Sequence, residues 1–345
     1  MQVAALAFEV DRTALDRTRF VTETVCAADD EIVVRIDEFA HTANNLTYAR
    51  LGDAAGYWTS FPTVDLAWGR IPAWGNATVL ASRHREIAVG ERFYGFVPMA
   101  SHVVMRPDRV RVGGFVDAAD ARAGLSPVYA SYRRLGGNDE IVDALRPVFE
   151  PVFFLAFVLD AAIADEHREG PIVMTSASSK AAIATAHLLR RRGIETTALT
   201  SRRNTPFCTG LGCFAEVYAY DESPYLETGP VTVVDFSGDT DLVETITSRV
   251  GAVGCIRAGL THGVPGGGLS TLFSAPHHII ERTRKWGREE FQRRFDESLV
   301  TFLAWSDSWI DLIRTTTPDE LRAHHLDTIN GRTRPATAAL HHLGD

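Results

Sequence analysis

Hydrophobic and polar positions alternate along residues 31–39, with Ile32, Val34 and Ile36 on one side and Val33, Arg35 and Asp37 on the other. That is the period of a half-buried strand. Residues 91–97 and 102–105 repeat it, with Pro98 between them and Pro107 after. Residues 57–76 hold Trp58, Trp68 and Trp74 among prolines and predict a loop-rich stretch whose rings fill a core or line a cleft. Near residue 126 the rhythm changes. Short apolar runs at 172–175, 196–200, 216–220, 231–236 and 252–257 predict buried strands. Helical spacing occupies 179–192, 204–212 and 239–250, with Ala182, Ile183, Ala186 and Leu189 sharing one face of the first. Strands alternating with helices imply a parallel sheet, the layout of a doubly wound nucleotide-binding domain. After the glycine-rich 263–268 the chain is expected to be mostly helical, and 281–303, with Trp286, Phe291, Phe295 and Leu299, reads as one amphipathic helix packed inward.

At 345 residues the chain exceeds one core, so two domains are expected. Its net charge of −9, from 35 basic and 44 acidic residues, with scattered arginines, argues against nucleic-acid binding. The N-terminal residues lack the pattern of a signal peptide. The longest apolar candidate, 152–163, contains Asp160 and stops short of a span, so no membrane segment is expected. Cys26, Cys208, Cys213 and Cys255 are too few and too dispersed for a disulfide framework, which suggests a cytoplasmic protein with reduced thiols.

The candidate chemistry centres on residues 170–193, a strand, turn and helix without the glycines that let a backbone crowd a pyrophosphate. Ser176, Ser179 and Ala182 stand at the glycine spacing. Serine keeps the backbone N–H and adds a hydroxyl, while Lys180 puts a cation in the first helical turn, where an anion would stabilise it. A cofactor held by Ser176, Ser178, Ser179 and Lys180 would sit slightly further out than on glycine. The bland alternative is a capped helix with an exposed lysine. The next strand ends in Ser201-Arg202-Arg203, with no carboxylate for a ribose hydroxyl. A hydroxyl and two guanidiniums suit a 2′-phosphate, hence NADP(H). Ligands of such sheets bind at the carboxyl ends of the strands, which adds the 235–238 loop with Ser237 and the 258–262 loop with Gly259. For metal, the cysteines lack ligand spacing, and the pairs His277-His278, His324-His325 and His341-His342 read as solvated helix ends, so none is expected.

The stretch "IPAWGNATVLASRHREIAVGERFYGFVPMASHVVMRPDRV" resembles the medium-chain dehydrogenase/reductase superfamily, whose approach strand and "VGERFYGF"-like turn belong to a GroES-like domain. "ANNLTYARLGD", "SASSK", "GLGC" and "REEFQRRFDESL" are similar to a bacterial branch whose activity is uncharacterised, and the glycine-free turn carries that likeness. The resemblance implies a GroES-like substrate domain, 1–125 with 305–345, and a Rossmann-like nucleotide-binding domain, 126–304. It also implies a homodimer through an edge strand and a zinc-free, quinone-oxidoreductase-like enzyme. Within "HTANNLTY" it aligns Asn44, Asn45 and Tyr48 with a segment facing the nicotinamide, and it places Tyr220 beside the 2′-phosphate. Asn44 and Asn45 could bind a carboxamide or polarise a carbonyl, and Tyr48 could donate to a substrate oxygen. Asn pairs are also ordinary turn formers, and Tyr48 could be simple packing. The expected activity is NADP(H)-dependent reduction of an activated C=C or C=O in a small hydrophobic molecule. The alternatives are a lyase on the same scaffold and a non-catalytic ligand-binding or sensor protein.

Overall fold

The chain runs through ten strands and two short helices before its first long helix. These are β1 (Gln2–Asp11), β2 (Thr18–Cys26), β3 (Ile32–His41), α1 (Ala43–Arg50), β4 (Trp68–Gly69), β5 (Pro72–Ser82), β6 (Arg92–Pro98), β7 (His102–Met105), β8 (Pro107–Arg111), β9 (Gly114–Asp117), α2 (Pro127–Ala130) and β10 (Ser131–Arg134). Then come α3 (Glu140–Asp165), β11 (Ile172–Met174), α4 (Lys180–Arg191), β12 (Thr196–Thr200), α5 (Thr205–Leu211), β13 (Glu216–Ala219) and β14 (Val231–Asp235). The chain continues as α6 (Thr240–Arg249), β15 (Ala252–Arg257), β16 (Ser270–Leu272), α7 (Ala275–Trp286) and α8 (Arg288–Ser306), and ends with β17 (Asp311–Thr315), α9 (Pro318–Ile329) and β18 (Thr337–His341). The structure, a computed structural model, describes residues 1–136, 140–165, 170–225, 231–258 and 270–344. It divides into one unit of Met1–Val148 with Ile310–Asp345 and a second of Phe149–Trp309. The first division falls inside α3, later than the change of rhythm near residue 126.

The first unit is the β-rich, GroES-like part. Its larger sheet runs β17-β18-β3-β5-β6-β10-β9-β8, with β7 also paired to β3, and a smaller sheet runs β2-β1-β4. The alternation at 31–39 becomes β3, whose Ile32, Val34 and Ile36 are buried with Phe8, Phe39, Phe93 and Val97. One expectation is corrected here: the end of the loop-rich stretch at 57–76 is the start of β5, because Trp74 packs with Tyr48, Tyr94 and Phe96 as an inward residue of a strand.

The second unit is Rossmann-like. Its six parallel strands follow the order β13-β12-β11-β14-β15-β16, so the chain reverses direction across the sheet between β11 and β14. Both faces are covered, which explains the continuous apolar runs. Ile172, Met174, Ala198 and Val234 pack on one side with Ala182, Ile183, Ala186 and Leu189 of α4. Val173, Leu199, Val231 and Val233 pack on the other with Val243 and Ile246 of α6 and Val250 just after it. Each buried Leu, Ile or Val contributes about 1.5–3 kcal/mol, so α4 is held mainly by its apolar face.

Two further expectations change. The single helix over 281–303 is two helices, α7 and α8, because Gly287 takes a φ of 85° and ends the first. Helix α3, at 26 residues, is long and apolar enough by length and composition to cross a membrane, contrary to the sequence reading. It serves as a core helix: 72% of its most apolar window is buried, with Phe153 and Phe157 against Phe295 of α8.

Candidate functional site

Strand β11 ends at Met174, and the chain turns through Thr175–Ser179 into α4. Ser176 holds φ at +48°, the left-handed region that dinucleotide turns give to glycine. The bend has therefore been kept, with a Cβ in a conformation that costs about 1 kcal/mol or more. Its N–H donates to the Tyr220 hydroxyl at 2.8 Å. Ser179 is the N-cap, its Oγ accepting from Ala182 N–H at 3.3 Å. Ser178 Oγ receives the Asn204 amide at 3.0 Å and the Thr200 hydroxyl at 3.3 Å. Ser178 and Tyr220 thus accept hydrogen bonds from behind, and no described residue takes their own protons. Burial pushes the Tyr220 phenol up to about 12, so that proton stays on at neutral pH. Lys180 opens α4 half-buried, and desolvation of its ammonium pushes it down to about 8.

The corner after β12 differs from its sequence reading. Arg202 is exposed and pairs with Asp221 at 2.6 Å and Glu222 at 2.9 Å, both just beyond β13. The acid missing from the end of β12 is thus supplied, twice, by the neighbouring strand. Arg203 is exposed, and Ser201 Oγ is buried without a hydrogen-bond partner among the described residues.

At the point where the chain order reverses, Asp235 ties the two halves together. Its carboxylate is fully buried and accepts from the Thr175 hydroxyl at 2.5 Å, from both N–H and O–H of Ser237, and from Gly238 N–H. Ser237 is thereby a turn residue held by this carboxylate. Gly259 and the rest of the 259–262 segment lie outside the described residues.

The first unit's candidate residues sit on α1. Thr42 caps it, with Asn45 reaching back to Thr42 N–H at 2.7 Å as a capping box. The Asn45 amide N–H also donates to the Pro72 carbonyl at 2.9 Å, so one end of this buried side chain closes the cap and the other ties the helix to β5. Tyr48 lies one turn further on, buried against Tyr57, Phe96 and Tyr129 at ring separations of 4.8, 5.4 and 6.2 Å. Its oxygen accepts from Trp74 Nε1–H at 3.0 Å and from Asn44 Nδ2–H at 2.8 Å. Both lone pairs are engaged, and the phenol proton is what it has left to give. Burial holds its pKa above the ordinary tyrosine value, outweighing the two donated bonds. Asn44 and Tyr129 are half-buried, and Tyr129 shares a hydroxyl contact of 3.0 Å with Tyr57. Trp74, Tyr57 and Tyr129 were missed as site residues, because an aromatic in a single sequence does not reveal which ring it meets.

The histidine pairs correct another expectation. His325 and His341 are fully buried, joined by His41 and half-buried His324, rather than solvated at helix ends. Among the described residues no group of three or more His, Cys, Asp or Glu is arranged to hold a metal ion. All four cysteines are free, and burial pushes Cys208 and Cys213 up to about 12, where they are inert thiols. A cleft of about 780 Å³ in the second unit is lined by Pro171, Ile194, Thr196 and Ala215, at the amino ends of β11 and β12, the sheet edge opposite the turn. It is not the ligand edge of such a sheet.

Similarity to solved structures spans nearly the whole chain at low identity. Mycobacterial Rv1454c, solved with NADPH, superposes with a TM-score of 0.64 at 14% identity, covering 98% of this chain and 100% of that one. CurA from Vibrio vulnificus gives 0.63 at 11% identity, with 99% of each chain covered. The quinone oxidoreductase from Coxiella burnetii gives 0.57 at 13%, covering 99% of this chain and all of the other. These likenesses establish a shared fold, GroES-like plus Rossmann-like. No curated protein matches the sequence. Residues 39–334 match the family described as Protein of unknown function (DUF2855), and the chain belongs to that family.

Proposed function

We propose that this protein is a zinc-free, NADP(H)-dependent oxidoreductase that reduces an activated C=C or C=O in a small hydrophobic molecule. The observation that carries the reading is the Tyr48 hydroxyl, buried among aromatic rings and loaded by two N–H donors so that its proton is free for a substrate oxygen. A phenol kept protonated by burial is a donor rather than a base, which suits the acid half of a reduction. Apolar walls formed by Phe96, Trp74 and Tyr57 match a hydrophobic substrate. NADPH, when bound, supplies the hydride.

The second unit's residues fit the nucleotide through relayed donors. Tyr220 takes the Ser176 N–H and can offer its own O–H to a pyrophosphate, about one hydrogen-bond length further out. Ser178 does the same with its hydroxyl, and Lys180 adds charge at the start of α4. Ser201 Oγ, buried and without a partner among the described residues, suits a ligand atom at the ribose corner. Arg203 and Arg202 are the 2′-phosphate donors, Arg202 once it is released from Asp221 and Glu222. Asn44 orients Tyr48, and Asn45 acts by holding α1 in place. A homodimer built on an edge strand of the parallel sheet and a cytoplasmic location belong to the same proposal.

One observation favours a second reading. The Ser176 N–H and the Arg202 guanidinium both have protein partners already, as in a ligand-binding protein or lyase that no longer transfers hydride. Titration with NADPH, followed by nicotinamide fluorescence, tests the first point. A panel of enones, quinones and ketones then tests turnover. Saturable binding with NADPH oxidation supports the reductase, saturable binding without turnover supports the second reading, and no binding in the high micromolar range overturns both uses of the cofactor.

A further inference from the structure

Four imidazoles meet in the first unit: His41 at the end of β3, His324 and His325 on α9, and His341 at the end of β18. Ring centroids lie 5.2 Å apart for His41–His325, 5.4 Å for His41–His324, 5.1 Å for His324–His341 and 6.2 Å for His41–His341. Three of the four are at most 1% exposed.

Their protons follow from the backbone. A carbonyl can only accept, so His325 Nε2, at 2.8 Å from the Leu15 oxygen, carries hydrogen. In a neutral ring its Nδ1 is then a bare lone pair, and it accepts from His41 Nε2–H at 3.0 Å. His41 Nδ1 is left as a bare lone pair too, buried and unpartnered. His324 Nε2–H donates to the His41 carbonyl at 3.0 Å. His341 Nδ1 meets the Thr315 hydroxyl at 2.6 Å, and its Nε2 is buried without a partner. The His41–His325 bond is therefore complete with both rings neutral. A first proton, on His41 Nδ1, keeps that bond but puts a charge in a buried site; a second, on His325 Nδ1, sets N–H against N–H and breaks the 3.0 Å bond.

Among the described residues, the titratable groups acting on His41, His325 and His341 are the neighbouring histidines, from β3, α9 and β18, and Asp16, which follows Leu15 and acts on His325. Burial and the neighbouring rings hold His41 well below the usual imidazole value, His325 below it, and His341 down to about 3.

We propose that this cluster is an acid-sensitive latch: neutral, it pins the C-terminal return, α9 and β18, onto β3, and protonation releases that return. His41 immediately precedes Thr42, the cap of α1, so release also loosens the helix that carries Asn44 and Tyr48. The latch stands apart from the reductase reading and needs neither cofactor nor substrate.

The sign follows from linkage. His41, His325 and His341 are neutral in the closed form and free to protonate near their ordinary ~6.5 in the opened form, so stability is present above that pH and is lost below it. Opening should become about tenfold easier per pH unit for each proton taken up.

Hydrogen exchange of the full chain between pH 7.5 and 5, corrected for the intrinsic rate, tests this. The expected result is an opening constant for α9 and β18 that rises at least tenfold per pH unit below ~6.5, with α6 of the second unit, which holds no histidine, unchanged. The variant His325→Gln can still donate to Leu15 and accept from His41 without titrating, and should reduce that slope. A flat response in α9, a rise shared equally with α6, or an unaltered slope in His325→Gln each overturns the latch. Should the variant not fold, proton uptake on urea unfolding of the wild type decides: more than about two protons near pH 5.5, beyond what half-buried His187 and His102 supply, supports it, and two or fewer overturns it.

Discussion

The Tyr48 region and the 175–180 turn both present hydroxyls loaded from behind, yet they are built by opposite means. Tyr48 stands on a regular helix with a capping box, its oxygen clamped by Trp74 and Asn44 and its ring packed against those of Tyr57, Phe96 and Tyr129. The turn instead holds a serine at φ +48° and closes its N–H on a tyrosine from another strand. One region is preorganised without strain, and the other keeps a left-handed bend at the expense of backbone strain. The lesson is that the turn's shape survives the loss of its glycines because surrounding strands over-determine it, while its donors move outward onto side chains.

That contrast can be broken or sharpened by experiment. The largest effect is expected from Tyr48→Phe, which removes the proton and keeps the ring. Turnover should fall roughly 10²- to 10⁴-fold with NADPH affinity unchanged, measured by steady-state kinetics and fluorescence titration. Unchanged turnover would remove the first unit from the chemistry. Tyr220→Phe comes next. It orphans the Ser176 N–H, which should lower stability by about 1–3 kcal/mol in urea unfolding and weaken NADPH about tenfold.

A pH titration of NADPH affinity is third. The Lys180 ammonium is pushed down to about 8, and a phosphate favours its charged form, so affinity should weaken as pH rises through 8, by up to about tenfold per unit. Lys180→Met should abolish that dependence. Smaller still is the effect of Asp221→Asn with Glu222→Gln, which frees Arg202. NADPH should then bind about three- to tenfold tighter while NADH is unaffected; equal changes for both cofactors would mean the corner does not meet the 2′-phosphate. Ser176→Gly closes the series: relief of the left-handed serine should stabilise the second unit by about 0.5–1 kcal/mol, read as a rise in Tm.

Much of the second unit was legible beforehand. Strands 196–200 and 252–257 read from the sequence coincide with β12 and β15, and the face of α4 was read residue for residue, because burial on both sides of a parallel sheet writes itself as short apolar runs and a 3.6-residue stripe. The break at Gly287 was not, since a glycine inside an amphipathic pattern is tolerated in many helices. The candidate sites were legible as residue types and local turns. Their hydrogen-bond partners were not: Ser176 meets Tyr220 across 44 residues, and His41 meets His325 across 284.

By itself the sequence determined the order of elements, the parallel sheet, the helix stripes and the place of the turn, because each depends on neighbours within a few residues. Only the tertiary structure decided which protons are committed and which remain to be given, where Arg202 finds its acids, and that four histidines share one buried volume. Those outcomes depend on side chains brought together by strand pairing and helix packing, and no local pattern encodes which distant partner arrives.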